Sequence, residues 1–66
     1  MSIGSKIKEV RLERNMTQAQ LGALIGVSQK AVAFWESESN EPKAFYIVKL
    51  VRALEMTFDE FFEDID

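Results

Sequence analysis

The stretch of sequence that decides the fold is "TQAQLGALIGVSQKAVAFWE", residues 17–36, because it holds two helix starts on either side of Gly26. Thr17, followed three residues later by Gln20, is a capping-box pattern that opens the first helix. Gly26 suits a left-handed cap at the end of that helix, and Ser28 is a capping-type residue that opens the second. The stretch therefore predicts two helices that are joined by a short turn and cross at a steep angle.

These two helices are expected to pack closely against each other. Leu21, Leu24 and Ile25 are predicted to point inward from the first helix, and Gly22 to lie where the two helices approach most closely. Glycine inside a helix costs roughly 1 kcal/mol relative to alanine, so a close contact would explain its presence. A tolerated surface glycine is the alternative.

The flanking sequence contains three further helix patterns. Residues 2–14 have apolar positions at helical spacing, and Pro42 follows a polar loop at a place that suits the start of a fourth helix. Thr57 and Glu60 repeat the capping box for a fifth helix. With no strand candidate of comparable quality, residues 1–66 are predicted to form one all-α domain, a compact five-helix bundle. The apolar stripe predicted for the fourth helix consists of Ala44, Ile47, Val48, Val51 and Leu54.

Composition limits the classes of protein to which the chain could belong. Its 66 residues include neither cysteine nor histidine, so we expect no disulfide, no metal site and no cofactor. The hydrophobic fraction of 47% is enough for a compact core. No apolar run is long enough to span a membrane and no signal peptide is recognisable, so a cytoplasmic location is expected.

Charge is distributed unevenly along the chain. The net charge is −3. Residues 1–35 carry five Lys or Arg against two Glu, whereas residues 36–66 carry three against nine Asp or Glu. This asymmetry is compatible with a basic face for an anionic partner and equally with an ordinary solubilising surface.

From about Ile3 to Phe62 the sequence resembles the Xre/Cro family of helix-turn-helix proteins, which includes the lambda-type phage repressors and Cro. The resemblance is carried by the stretches "TQAQLG", "GVS", "WE" and "RALEMT", and by the proline after the loop. It implies a lambda-repressor-like bundle with the helix-turn-helix at about residues 17–37. It also implies a transcriptional regulator, expected to be a repressor, that binds a palindromic operator in double-stranded DNA as a dimer. A Cro-like or minimal repressor, a restriction–modification controller and an antitoxin that represses its own promoter all fit this pattern.

The resemblance implies that the second helix of the motif enters the major groove. The outward face of that helix presents Gln29, Lys30, Ala33 and Phe34 as base contacts. Glutamine can bond adenine, lysine can donate to guanine, and apolar side chains can contact the thymine methyl group. A solvated face is the alternative for Gln29 and Lys30, and a protein contact or partial burial is the alternative for Phe34.

Contacts to the phosphate backbone are expected from helix N-termini, where amide groups and the helix dipole favour anions. Thr17, Gln18 and Ser28 open the two motif helices, and Asn40 and Lys43 lie across the following loop. We therefore predict that these five residues fix the position of the protein on DNA while carrying little sequence information.

Three other positions bear on the resemblance. Arg11 and Glu36 are implied to form a structural ion pair between the first and third helices; two unrelated surface charges are the alternative. Glu38 stands where the family usually has glycine, so the third helix is expected to end differently and the loop contacts to phosphate come into question. Gly22 replaces the usual alanine, a change toward closer packing.

The C-terminal end is predicted to form a dimer interface. Phe58, Phe62 and Ile65 supply more apolar surface than so short an end can bury in its own core, which favours a weak two-fold dimer. An enzyme is not expected, because the acidic residues there lack the partners that acid–base catalysis needs. A protein-interaction module is the second hypothesis, while a membrane or a small-molecule ligand is not indicated.

Overall fold

The computed structural model describes all residues, 1–66, and contains five α-helices and no strand, which confirms the predicted all-α bundle. None of the helices is long and apolar enough to cross a membrane. The helices are α1 (Ile3–Glu13), α2 (Gln18–Ile25), α3 (Gln29–Glu36), α4 (Ala44–Ala53) and α5 (Phe58–Phe62).

Four of the five helices begin with a side-chain cap. Thr17 and Thr57 form complete capping boxes with Gln20 and Glu60, as the sequence predicts. The Ser28 hydroxyl accepts a hydrogen bond from the Ala31 amide at the start of α3. Ser2, which is not among the predicted caps, caps α1 in the same way. Local hydrogen bonds from these caps therefore determine where the short helices begin.

Four helices end with a residue in the left-handed region, and only one of these residues is glycine. Gly26 has φ 78°, Asn15 and Glu55 have φ 57°, and Glu38 has φ 65°. After Glu38 the Ser39 amide donates to the Phe34 carbonyl at 3.0 Å, as in a glycine-terminated helix. The expectation that α3 ends differently without glycine is therefore wrong: the same termination forms with a side chain in place.

The core is built from all five helices. Leu50 is fully buried although the predicted stripe of α4 omits it, whereas Ala44 and Val48 of that stripe are exposed. The prediction for Leu24 is also wrong, since 62% of this residue is exposed. In both cases the neighbouring helices determine which face of the helix is buried, and the periodicity of the sequence alone does not specify that face. The ten buried core residues are Ile7, Val10, Leu21, Ile25, Val32, Trp35, Leu50, Val51, Leu54 and Phe61.

Two glycines allow other helices to lie against the two ends of α3. A Cβ atom on Gly22 would stand 2.7 Å from the Val27 carbonyl oxygen, so the predicted close approach of α2 to the turn before α3 is confirmed. A Cβ atom on Gly4 would collide with the Trp35 carbonyl oxygen in the last turn of α3. Because backbone cannot yield to a new methyl group, both contacts fix the position of α3.

Candidate nucleic-acid interface

The first turns of α2 and α3 expose backbone amide groups. The caps Thr17 and Ser28 satisfy the amides of Gln20 and Ala31. The first two amides of each helix have no backbone partner, as is usual at a helix N-terminus. Together with the helix dipole, these amides make each start suitable for an anion such as a phosphate group.

The exposed face of α3 carries the residues predicted to contact bases. Gln29 and Lys30 are exposed in the first turn, and Phe34, which is 41% exposed, follows one turn later. Ala33 is half-buried, so it offers less surface than the other three. The exposed Phe34 is the unusual feature of this face. Its backbone carbonyl accepts hydrogen bonds from the loop amides of Ser39 and Asn40, while its ring remains exposed and open to a partner.

A chain of side-chain hydrogen bonds runs from this face into the protein. The Gln29 Nε2 group donates to Gln18 Oε1 at 2.8 Å, and the Gln18 Nε2 group donates to Glu36 Oε1 at 3.1 Å. Gln18, predicted as a phosphate contact, thus uses its side chain to link the first and last turns of α3. Its backbone amide and its second side-chain N–H have no partner within the chain. The local sequence does not predict this bridge, because its two partners are 11 and 18 residues away.

Arg11 anchors the inner end of this chain. Its guanidinium donates to both carboxylate oxygens of Glu36, at 2.7 and 2.9 Å, and to the Met16 carbonyl at 2.8 Å. The two side chains are only 8% and 4% exposed. The hydrogen bond to Glu36 raises the pKa of Arg11 above its ordinary value, against the opposing effect of burial, so the Arg11 guanidinium stays protonated. Paired in this way, the two charges join α1, α3 and the start of α2.

The loop after α3 holds the remaining predicted phosphate contacts. Asn40 and Lys43 are exposed, and Lys43 precedes α4 without forming a side-chain cap. The Asn40 amide donates to the Phe34 carbonyl at 3.3 Å, which ties the loop to α3. Glu38 and Glu41 are also exposed here, so the loop carries opposing charges within a few residues.

The C-terminal end has a looser construction. Phe58 and Phe62 are exposed, whereas Ile65 is half-buried and packs against the core. A single contact of 3.5 Å joins the Lys6 ammonium to the Asp64 carboxylate, whose side chain is 65% exposed. Of the three predicted dimer residues, Ile65 therefore offers the least exposed surface.

A helix-turn-helix family model (HTH_3) matches residues 7–61, which include all of α2 to α4. The chain belongs to this helix-turn-helix family. The family resemblance inferred from the sequence is thereby confirmed.

Two relatives have been given names that describe regulators. An uncharacterised HTH-type transcriptional regulator, y4aM of Sinorhizobium fredii, is 38% identical over 63 residues, which are 96% of this chain and 44% of that protein. The repressor protein C2 of Salmonella phage P22 is 33% identical over 57 residues, or 86% of this chain and 26% of the repressor. The chain thus spans less than half the length of either relative.

Solved structures share the fold over nearly the whole chain. The P22 c2 repressor in complex with a synthetic operator matches with a TM-score of 0.85 and 31% identity, covering 92% of each chain. The restriction–modification controller protein C.Esp1396I also matches with a TM-score of 0.85, at 26% identity, covering 92% of this chain and 79% of that one. The fold is therefore that of the repressor DNA-binding domains, and the chain is a helix-turn-helix protein related to phage repressors.

Proposed function

We propose that the chain is a sequence-specific DNA-binding regulator of transcription, a repressor, that binds a palindromic operator as a dimer with α3 in the major groove. The observation that carries this proposal is the position of the exposed Gln29 and Lys30 beside two helix starts with open amides. The amides can hold the DNA backbone while the two side chains reach base edges. The related P22 repressor, solved with its operator, supports the same mode of use.

The orientation of the Gln29 amide favours adenine as its base. The Glu36 carboxylate is an acceptor only, so the Gln18 amide must turn its NH₂ group toward Glu36 and its oxygen toward Gln29. Gln29 must then donate to that oxygen. This leaves the Gln29 oxygen and one N–H free, the pair of groups that matches adenine N6 and N7.

The other three residues of the face complete the proposed base contacts. Lys30 is suited to the O6 and N7 acceptors of guanine, and Phe34 and Ala33 to thymine methyl groups. Because Ala33 is half-buried, Phe34 is expected to contribute the larger apolar contact.

Phosphate contacts are proposed at both helix starts and at the following loop. Thr17, Gln18 and Ser28 would act at the two starts, Gln18 through its backbone amide, while Asn40 and Lys43 would hold the same strand from the loop. Lys43 supplies the single cation of this group.

Dimerisation is proposed through Phe58, Phe62 and Ile65, and it would place two copies of α3 on half-sites about 34 Å apart. The exposure of both phenylalanines supports this interface. If the main role were instead protein interaction, the same residues would be needed but DNA would not.

The direct test is operator selection from random duplexes, followed by gel-shift and footprinting measurements. Gln29→Ala and Lys30→Ala should each lose roughly 1–3 kcal/mol on the selected site while barely changing non-specific binding. As a matched control, Lys43→Ala should weaken all sequences alike and lower the salt dependence by about one unit of slope. Failure to select any sequence, or a footprint of one chain on an unsymmetrical half-site, would contradict the proposal.

A separate measurement tests Phe34. Replacing operator thymines by uracil removes only the methyl groups, so the parent protein should lose affinity for the uracil duplex. Phe34→Ala should lose most of this difference between the two duplexes and keep only the part that Ala33 contributes. Equal affinity of the parent for both duplexes would assign Phe34 to a protein contact instead.

A further inference from the structure

An open groove lies between α2 and α4, and the base-facing residues of α3 are not part of it. We call it the α2–α4 groove; Leu24 and Ile25 form one wall, and Lys49, Arg52 and Ala53 form the other. Its volume is about 600 Å³. Leu24 is 62% exposed, which is an unusually large exposed fraction for a leucine in so small a domain. The groove is thus a partly apolar surface to which no residue of α3 contributes.

Two of the three charged residues at the groove, Lys49 and Arg52, are cationic and form no ion pair. Neither Lys49 nor Arg52 forms an ion pair with any carboxylate of the chain, although the chain has a net negative charge. The Lys49 ammonium lies 4.7 Å from the centre of the exposed Phe45 ring, which extends the apolar surface beyond the groove. The one acidic residue at the groove, Glu55, is engaged by Arg14 at 3.4 Å.

We propose that the α2–α4 groove binds a short acidic amphipathic helix of a partner protein. The apolar wall formed by Leu24 and Ile25 calls for leucine or phenylalanine side chains at helical spacing, the usual way in which a helix fills a groove. The two free cations call for carboxylates beside those side chains. A phosphate backbone would satisfy Lys49 and Arg52 but would leave Leu24 uncovered, so DNA fits the groove less well. Since the proposed DNA face lies elsewhere, the protein can hold this helix and its operator together.

The experiment uses synthetic peptides as probes of the whole chain. The acidic probe is a helix-forming peptide of about 15 residues, with leucines on one face and glutamates on the other. A second peptide carries lysines in place of the glutamates, and a third carries serines in place of the leucines. Binding is measured by NMR titration of the backbone amides, with and without operator DNA. The acidic probe should shift the amides of Leu24, Ile25, Lys49, Arg52 and Ala53 saturably, with DNA present or absent, and the other two peptides should not.

Variants of exposed residues separate this contact from general adhesion. The double variant Lys49→Glu, Arg52→Glu and the single variant Leu24→Ser should each weaken binding of the acidic probe by at least about tenfold. Leu12→Ser is the matched control, because Leu12 is 55% exposed on α1 and lies outside the groove; it should bind the probe as the parent does.

Several outcomes would overturn the proposal. Equal binding of the acidic and lysine peptides would mean that the charges play no part. An equal loss in Leu12→Ser, or shifts confined to Phe58 and Phe62, would place the contact elsewhere. Concentration-dependent shifts of the groove amides without peptide would identify a second copy of this chain as the occupant. Tighter binding to vesicles of anionic lipid than to the acidic probe would identify a membrane surface.

Discussion

Two regions of the molecule each combine a capping box with an ion pair to α1, but they differ in how firmly they are held. The motif end, meaning the start of α2 together with α3, begins with the Thr17–Gln20 capping box and is joined to α1 by an ion pair. The C-terminal end, meaning α5 and residues 63–66, begins with the Thr57–Glu60 capping box and is also joined to α1 by an ion pair. The differences lie in burial and in charge.

The two ion pairs differ in how completely the charges are enclosed. Arg11 and Glu36 form two hydrogen bonds, and both side chains are buried. Lys6 is buried to a similar degree, but its one contact, at 3.5 Å, is to the exposed Asp64. A buried charge depends on its partner, whereas an exposed carboxylate is screened by water. The ion pair at the motif end is therefore expected to stabilise the packing of its helices more than the ion pair at the C-terminal end does.

The two capping boxes differ by one charge in nearly identical geometry. The Thr17 amide donates to Gln20 and the Thr57 amide donates to Glu60, each at 2.8 Å. A neutral glutamine leaves the start of α2 free of negative charge where a phosphate is proposed to lie. A glutamate at α5 interacts favourably with the helix dipole and adds to the acidic C-terminal end.

The largest expected effect comes from breaking the buried ion pair. Arg11→Ala leaves the Glu36 carboxylate buried without its partner and should cost about 3–5 kcal/mol of unfolding free energy. Asp64→Ala is the matched change at the C-terminal end and should cost no more than about 1 kcal/mol. Thermal and urea unfolding of both variants measure the difference. Equal destabilisation by the two changes would remove the distinction between the two ends.

The sequence predicted those parts of the fold that depend on nearby residues. Both capping boxes, the Gly26 cap and the close approach at Gly22 depend on residues within one turn or one short loop. The buried face of α4 was predicted less well, and Leu50 was missed, because the neighbouring helices decide which side of a helix is covered. Long-range packing of this kind has no local signature.

The residues of the candidate DNA face could be proposed from the sequence, but the hydrogen bonds between their side chains could not. The prediction that Gln29 contacts a base rests on the family resemblance. Its hydrogen bond to Gln18, and the bond from Gln18 to Glu36, arise only when α2 crosses α3. The left-handed backbone at Glu38 was also not foreseen, because a side chain there is locally unfavourable and is accepted for the hydrogen bonds that end α3.

Exchanging the residues of the two capping boxes tests the difference in charge. Gln20→Glu keeps the hydrogen bonds of the box but adds a carboxylate at the proposed phosphate site, and it should weaken operator binding by about tenfold at low salt. Glu60→Gln makes the reverse change at α5 and should alter operator affinity by less than about twofold. Gel-shift titrations at several salt concentrations measure both variants. If Gln20→Glu binds as tightly as the parent, the start of α2 does not face phosphate.

Glu38 lies just beyond α3 and places a carboxylate beside the motif end, so removing it should sharpen the comparison. Glu38→Gly removes the side chain from a residue with left-handed backbone and so relieves its steric strain. The variant should be more stable by about 0.5–1 kcal/mol, after allowing for the greater freedom of glycine in the unfolded chain. Glu55→Gly should give a similar gain, since Glu55 has nearly the same φ at the end of α4. Urea unfolding measures both variants.

Glu38→Gln separates backbone strain from charge, because it removes the carboxylate and keeps the side chain. Operator affinity should rise with Glu38→Gln as with Glu38→Gly, whereas only the glycine variant should be stabilised. A gain in stability from Glu38→Gln equal to that from Glu38→Gly would show that charge, and not the left-handed backbone, is the cost at this position.

The smallest expected effect is a difference in pH dependence between the two capping boxes. Hydrogen bonds from the Thr57 backbone and side chain lower the pKa of Glu60 below its ordinary value. Since the unfolded chain then binds the proton more readily, Glu60 contributes stability that is present above the ordinary glutamate pKa of about 4.3 and is lost as pH falls through the lowered value. Glu60→Gln should therefore lose stability less steeply than the parent below about pH 4.

Gln20→Glu should gain such a pH dependence, because it places a carboxylate in the same hydrogen bonds at α2. Unfolding curves measured between about pH 3 and pH 6 test both variants, and parallel pH profiles for the parent and Glu60→Gln would show that the charged box adds nothing to the neutral one.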